Sequence, residues 1–144
     1  MKVMAVGVFD LLHAGHLHYL EQAKELGTHL TVVVAHDDTV RIRKHEPVTN
    51  HGLRKRMVEG LKPVDTAIIG NSPDVSIYDI LKVVNPDVIA LGYDQEHAED
   101  SIRQKLQDLG LGKITVTRVE GLSDDLDGTR KIIARILELS RKDE

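Results

Sequence analysis

The 144-residue sequence contains no cysteine and no tryptophan, and its only other rings of that size are one phenylalanine and three tyrosines. The missing thiols exclude a disulfide, a thiolate zinc site and a cysteine nucleophile, and fit a reducing compartment. The scarcity of aromatic rings excludes a stacking platform for single-stranded nucleic acid and leaves the core to aliphatic side chains. No apolar stretch reaches the roughly 18 residues that a membrane-spanning helix needs, and the amino terminus lacks the charged, apolar and small-residue regions of a secretory signal. Basic charge is not in excess either. Nineteen Lys and Arg stand against 23 Asp and Glu, a formal net charge of −4, so no overall field draws the chain to nucleic acid or to an anionic membrane. What remains is a globular mixture, 41% hydrophobic and 29% charged. Its length makes one domain, 1–144, large enough to bury a core without a structural cofactor. A cytoplasmic location is expected.

The pattern along the chain alternates strand and helix. Lys2 to Val8 is almost wholly apolar, as in a strand covered on both faces. From Ala14 to Leu26 the apolar residues Leu17, Leu20, Ala23 and Leu26 recur at helical spacing, with Gly27 placed as a carboxyl-terminal cap. Leu30 to Ala35 is a second buried strand, so the opening residues spell a βαβ unit with a right-handed crossover. His36 to Gly52 is polar without a sustained apolar period and reads mostly as a mobile loop. Helices are predicted at Arg54 to Leu61, Ser76 to Val84, Glu99 to Leu109 and Gly128 to Ser140, and strands at Thr66 to Ile69, Val88 to Leu91 and Lys113 to Val119. The last helix carries Ile132, Ile133, Ile136 and Leu137 on one side. The sum is an α/β fold, a single doubly wound parallel sheet of five strands with helices on both faces. No repeat, low-complexity tract or interdomain linker interrupts it.

In such a sheet ligands bind where the strands end and the connections diverge, which directs attention to the turn after the first strand. It reads Gly7-Val8-Phe9-Asp10-Leu11-Leu12-His13-Ala14-Gly15-His16. Two imidazoles three residues apart share a face of a first helical turn. Gly15 between them lets a bulky ligand approach the backbone, and free N–H groups at a helix start favour phosphate. Paired imidazoles can donate to phosphoryl oxygens and stabilise charge gathering there in a transition state. A solvated surface pair is the plain alternative, and a metal pair is another. A metal needs a third ligand, and none follows nearby, so no metal site is assigned. His18 has the wrong spacing to share that face. His29, His36, His45, His51 and His97 are scattered and read mainly as surface residues.

These ten residues are similar to the GxFDxxHxGH signature of the HxGH nucleotidyltransferases, whose fold is Rossmann-like. The resemblance runs over nearly the whole chain. It is nearest to the cytidylyltransferase-like branch, which includes glycerol-3-phosphate cytidylyltransferases and the archaeal FMN adenylyltransferases. Arg54 to Asp65, ending Leu61-Lys62-Pro63-Val64-Asp65, and the run Leu91-Gly92-Tyr93-Asp94-Gln95 resemble the archaeal flavin enzymes.

The resemblance implies transfer of AMP from ATP to the phosphate of FMN, giving FAD and pyrophosphate by direct in-line attack on the α-phosphorus. Catalysis of that kind is alignment of two anions and neutralisation of charge. By family position, the main chain at Val8 and Phe9 and the segment His13, Ala14, Gly15 and His16 hold the triphosphate, and Lys44 and Arg54 supply positive charge. Asp94 contacts the nucleotide, and Thr129 and Arg130 bind phosphate, although Gly128 and Arg130 stand where the family often has Ser or Thr. A divalent cation, Mg²⁺, is expected to arrive with the nucleotide, and a homodimer is expected. The flavin ring would lie on aliphatic side chains or on Tyr93. Two other readings stay open. One is cytidylyl transfer from CTP to glycerol 3-phosphate or a similar phosphorylated alcohol. The other is a nucleotide-binding sensor without turnover, suggested by the acidic run Asp124 to Asp127 beside the phosphate segment.

Overall fold

The computed structural model describes residues 1–92, 96–121 and 129–142. Five strands, Lys2–Gly7 (β1), His29–Val34 (β2), Thr66–Ile69 (β3), Val88–Leu91 (β4) and Thr115–Arg118 (β5), form one sheet in the order β3-β2-β1-β4-β5. All four pairings are parallel. The helices are Ala14–Glu25 (α1), Asp37–Arg43 (α2), His51–Glu59 (α3), Ile80–Val84 (α4), Glu96–Asp108 (α5) and Thr129–Lys142 (α6). The fold is the expected doubly wound α/β sheet.

Strand alternation builds two cores. Val3, Ala5, Leu30, Val32, Val34, Val88 and Ala90 face one way and bury Leu20 and Ala23 of α1 and Val58 of α3. Met4, Val33, Ile89, Leu91 and Val116 face the other way, against Ile80 and Leu81 of α4 and Leu106 of α5. Because β1 hands the chain to β2 on one side while β4 joins it on the other, the carboxyl edge of β1 lies at the point where the connections diverge.

Three local expectations are corrected. The stretch read as a loop contains α2, whose amino end is capped by the His36 ring and whose one buried apolar residue is Val40. With so few apolar residues facing in, no period was available to mark it. The stretch Ser76 to Val84 splits into a 3₁₀ turn, Ile77–Asp79, followed by α4, and ends on Asn85 in the left-handed region (φ 49°). Gly27 is not a left-handed cap, since Gly110 is the one described glycine with a positive φ (75°). A Cβ at Gly27 would stand 2.5 Å from the Met1 carbonyl oxygen and 2.8 Å from Val3 Cγ2, so close approach of the first strand requires the glycine. The apolar side of α6 is present, but no residue of that helix is buried, and Ile133, Ile136 and Leu137 stand exposed.

Candidate active site

The turn leaving β1 is tightly folded and internally braced. Phe9 and Leu11 take positive φ angles of 55° and 53°, a conformation that costs an ordinary side chain free energy and persists only where surroundings enforce it. Those surroundings are visible. The Phe9 ring folds back over Gly7, where a Cβ would stand 2.8 Å from two ring carbons. The buried Asp10 carboxylate accepts the amide of Val48 at 2.6 Å, the amide of Thr49 at 3.1 Å and the Thr49 hydroxyl at 2.7 Å. Burial alone would raise the Asp10 pKa. The Thr49 hydroxyl, the two amides and the Arg54 charge outweigh it and hold the group below its ordinary value, so it remains an anion.

At the start of α1 the two imidazoles do the work usually given to Ser and Glu in a capping box. His13 Nδ1 accepts the Gly15 amide at 3.0 Å, and His16 Nδ1 accepts the His13 amide at 3.3 Å. The amides of His13 and Gly15 are thus spent on rings rather than left free for phosphate, which corrects the expectation of open N–H groups there. The gain is orientation. An Nδ1 that accepts has its lone pair engaged, so each neutral ring carries its proton on Nε2 and presents a donor. The rings stack with centroids 3.8 Å apart and 26° between planes, and Phe9 packs on His16 at 5.4 Å. Burial, then the neighbouring His13 and Lys44, push the His16 pKa down to about 4 against a smaller opposing pull from Asp10. His16 is therefore neutral near pH 7.

Lys44 closes α2 as an exposed cation, and its charge contributes to lowering the His16 pKa. Arg54 is placed differently. Its side chain is 0% exposed, with Nε donating to the Thr49 carbonyl at 2.9 Å, Nη1 to the Val8 carbonyl at 2.7 Å and Nη2 to Asp37 Oδ1 at 2.5 Å. It clamps the β1 turn to the ends of β2 and α3 from inside, and its charge reaches the site through Asp10 and the Val8 main chain. Thr129, first residue of α6, donates its hydroxyl to the Asp10 carbonyl at 3.1 Å, which brings that helix start to the same turn. Arg130 beside it is exposed, as is Ala14. Asp94, Tyr93, Gly128 and the acidic run Asp124 to Asp127 lie outside the described residues.

Several contributors were not singled out by the sequence pattern. Asp10 lies inside the signature itself, but its three donors come from residues nearly forty positions away. Asp37, the partner of Arg54, follows a buried strand, where a charged residue marks the carboxyl edge. His36 and His51, read as separate surface residues, are in ring contact 4.5 Å apart, which corrects that reading. His18 is half-buried, with Nε2 enclosed and without a partner among the described residues.

Comparison with known proteins gives a consistent picture. The profile of the cytidylyltransferase-like family matches residues 4–132. A protein named FAD synthase from Aciduliprofundum boonei is 47% identical over 139 residues, covering 96% of this chain and 91% of that one. Another, also named FAD synthase, from Methanohalobium evestigatum, is 45% identical over 138 residues, covering 95% and 89%. Among solved structures, one described as a lipopolysaccharide core biosynthesis protein from Thermoplasma volcanium superimposes with a TM-score of 0.79 at 39% identity, covering 85% of this chain and 98% of that one.

Proposed function

The chain belongs to the cytidylyltransferase-like family, and from that membership we propose that it is an FMN adenylyltransferase, joining ATP and FMN to give FAD and pyrophosphate. Relatives named FAD synthase that align along nearly all of both chains support this choice of substrates. The observation that carries the chemistry is the His13–His16 pair, two imidazoles locked by the first turn of α1 so that both donate from Nε2.

In this reading an oxygen of the FMN phosphate attacks the α-phosphorus of ATP, a new P–O bond forms, the bond from the α-phosphorus to the bridging oxygen breaks, and pyrophosphate leaves. No group on the protein becomes covalently attached. His13 and His16 donate to the oxygens on which negative charge gathers, and their fixed orientation means little reorganisation accompanies the reaction. Lys44 adds a mobile positive charge over the triphosphate. Arg54 acts as a positioning residue, since it fixes the Val8 carbonyl and supports the charged form of Asp10, which pins the turn. Thr129 and Arg130 hold phosphate at the start of α6, and Asp94 contacts the nucleotide. Among the described residues no group of three or more His, Asp or Glu side chains is arranged to hold a metal. Mg²⁺ enters this account with the triphosphate, as part of the substrate. Homodimeric assembly and a cytoplasmic location belong to the same reading.

The test is a matrix of ATP or CTP against FMN or glycerol 3-phosphate, with product masses and pyrophosphate followed together. FAD from ATP and FMN is the expected product. Turnover confined to CTP and glycerol 3-phosphate would replace the flavin assignment, and nucleotide binding without pyrophosphate release for any pair would favour a sensor.

A further inference from the structure

The carboxyl edge of the sheet carries a second imidazole pair. His36 and His51 lie with ring centroids 4.5 Å apart and planes 56° apart, their side chains 26% and 29% exposed. Each has its Nδ1 occupied by a main-chain donor, the Asp38 amide for His36 at 3.1 Å and the Asp37 amide for His51 at 3.0 Å. A ring whose Nδ1 accepts in this way has its N–H at Nε2. Neither Nε2 has a hydrogen-bond partner among the described residues, and both remain open to solvent. The construction matches that of His13 and His16, one strand over.

Its position relative to the first pair follows from the ladder. Gly7 pairs with Val34, and the Ala35 amide donates to the Gly7 carbonyl at 2.9 Å, so Ala35 lies level with Val8 and His36 follows one residue beyond on the adjoining strand end. From the other side, a chain of contacts runs from the Val8 carbonyl through Arg54 to Asp37, whose amide reaches His51. In the reading proposed above Asp94, which follows β4, and Thr129 and Arg130, which open α6, take the nucleotide, and β4 flanks β1 on the side away from β2. An in-line displacement brings the incoming oxygen opposite the departing pyrophosphate. The acceptor then extends along the other side of β1, over the end of β2.

Charge decides which part of the acceptor this pair suits. Asp37 lies 3.5 Å from His51 and Asp38 3.9 Å from His36, and each carboxylate is paired with an arginine, Asp37 with Arg54 and Asp38 with Arg41. Both arginines are engaged by these carboxylates and neither is free to receive a phosphate dianion, whereas imidazole N–H donors suit uncharged acceptors. We propose that His36 and His51 form the acceptor side of the site, donating from Nε2 to the uncharged polar part of FMN, its ribityl oxygens and ring carbonyls, while its phosphate reaches the β1 turn. This inference rests on the FMN adenylyltransferase reading.

The test uses Asn, whose side-chain oxygen stands near the Nδ1 position and keeps the amide bond while removing Nε2. The double variant His36→Asn, His51→Asn should raise KM for FMN about tenfold or more, the loss of two ordinary hydrogen bonds. KM for ATP and the melting temperature should stay close to wild type. Riboflavin, which lacks the phosphate, should lose potency as a competitor of FMN by a similar factor. The corresponding Gln variants, which return a donor near Nε2, should recover part of the loss. An unmoved KM for FMN, a parallel rise in both KM values, or weakened FMN with unchanged riboflavin competition would each overturn the proposal. A wild-type protein that makes no FAD would instead remove the functional reading on which it stands.

Discussion

Arg54 and Asp37 form an ion pair inside the protein, Nη2 to Oδ1 at 2.5 Å, with the arginine side chain 0% and the aspartate side chain 13% exposed. Two further donors of the same guanidinium hold carbonyls of Val8 and Thr49. A cation so placed cannot be removed without leaving a carboxylate uncompensated, which typically costs about 3–5 kcal/mol.

Arg54→Met is accordingly expected to destabilise the fold by about 3 kcal/mol or more in denaturant unfolding. The double variant Arg54→Met, Asp37→Asn should regain part of that loss, because the stranded charge is gone. Single-variant stability within about 0.5 kcal/mol of wild type would show that the pair contributes nothing net.

His16→Asn should keep the acceptor for the His13 amide and remove the Nε2 donor. The expected result is a barrier higher by about 2 kcal/mol or more, roughly a thirtyfold fall in kcat, with unfolding little changed. Undiminished turnover would take His16 out of the mechanism.

The pH dependence follows from the same ring. His16 titrates near 4 in the fold against an ordinary 6.5, chiefly through burial and then through His13 and Lys44. Folding thus favours its neutral form. The associated stability is fully present above pH 6.5 and is lost progressively as pH falls toward 4. Unfolding free energies of wild type and His16→Asn, measured across that window, should lie close together above pH 6.5 and separate on the acid side, with wild type falling below the variant. Parallel curves would mean that the ring titrates alike in both states.

Two glycines should respond for different reasons. At Gly27 an added methyl meets the Met1 carbonyl oxygen at 2.5 Å and Val3 Cγ2 at 2.8 Å, and Gly27→Ala should cost about 1–3 kcal/mol through overpacking. At Gly110 nothing lies within 4 Å, so Gly110→Ala should cost only the left-handed conformation, about 1 kcal/mol, and Gly110→Asn less. Equal losses from both alanines would contradict the steric origin assigned to Gly27.

What could be read from the sequence was whatever is local. The strand Thr66–Ile69 and the strand Val88–Leu91 are short aliphatic runs bounded by polar residues, and both occur where the pattern places them. The first imidazole pair was legible because i and i+3 on a helix start are neighbours by geometry. Helix α2 was hidden because it buries Val40 and little other apolar surface, and α3 begins three residues early because the Asn50 side chain caps it. Arg54 looked like a free cation because its acceptors, Val8, Thr49 and Asp37, gather only when β1, β2 and α3 meet. The His36–His51 contact was invisible for the same reason: fifteen residues of sequence separate rings that the carboxyl edge brings together.

The central claim is that the paired imidazoles after β1 drive adenylyl transfer to FMN. Its most direct test is a time course with ATP, Mg²⁺ and FMN, following FAD and pyrophosphate together for wild type and for the double variant His13→Asn, His16→Asn. The account predicts equal amounts of the two products from wild type, and a rate at least about a hundredfold lower from the double variant, which still binds FMN. A double variant that forms FAD at the wild-type rate would contradict it.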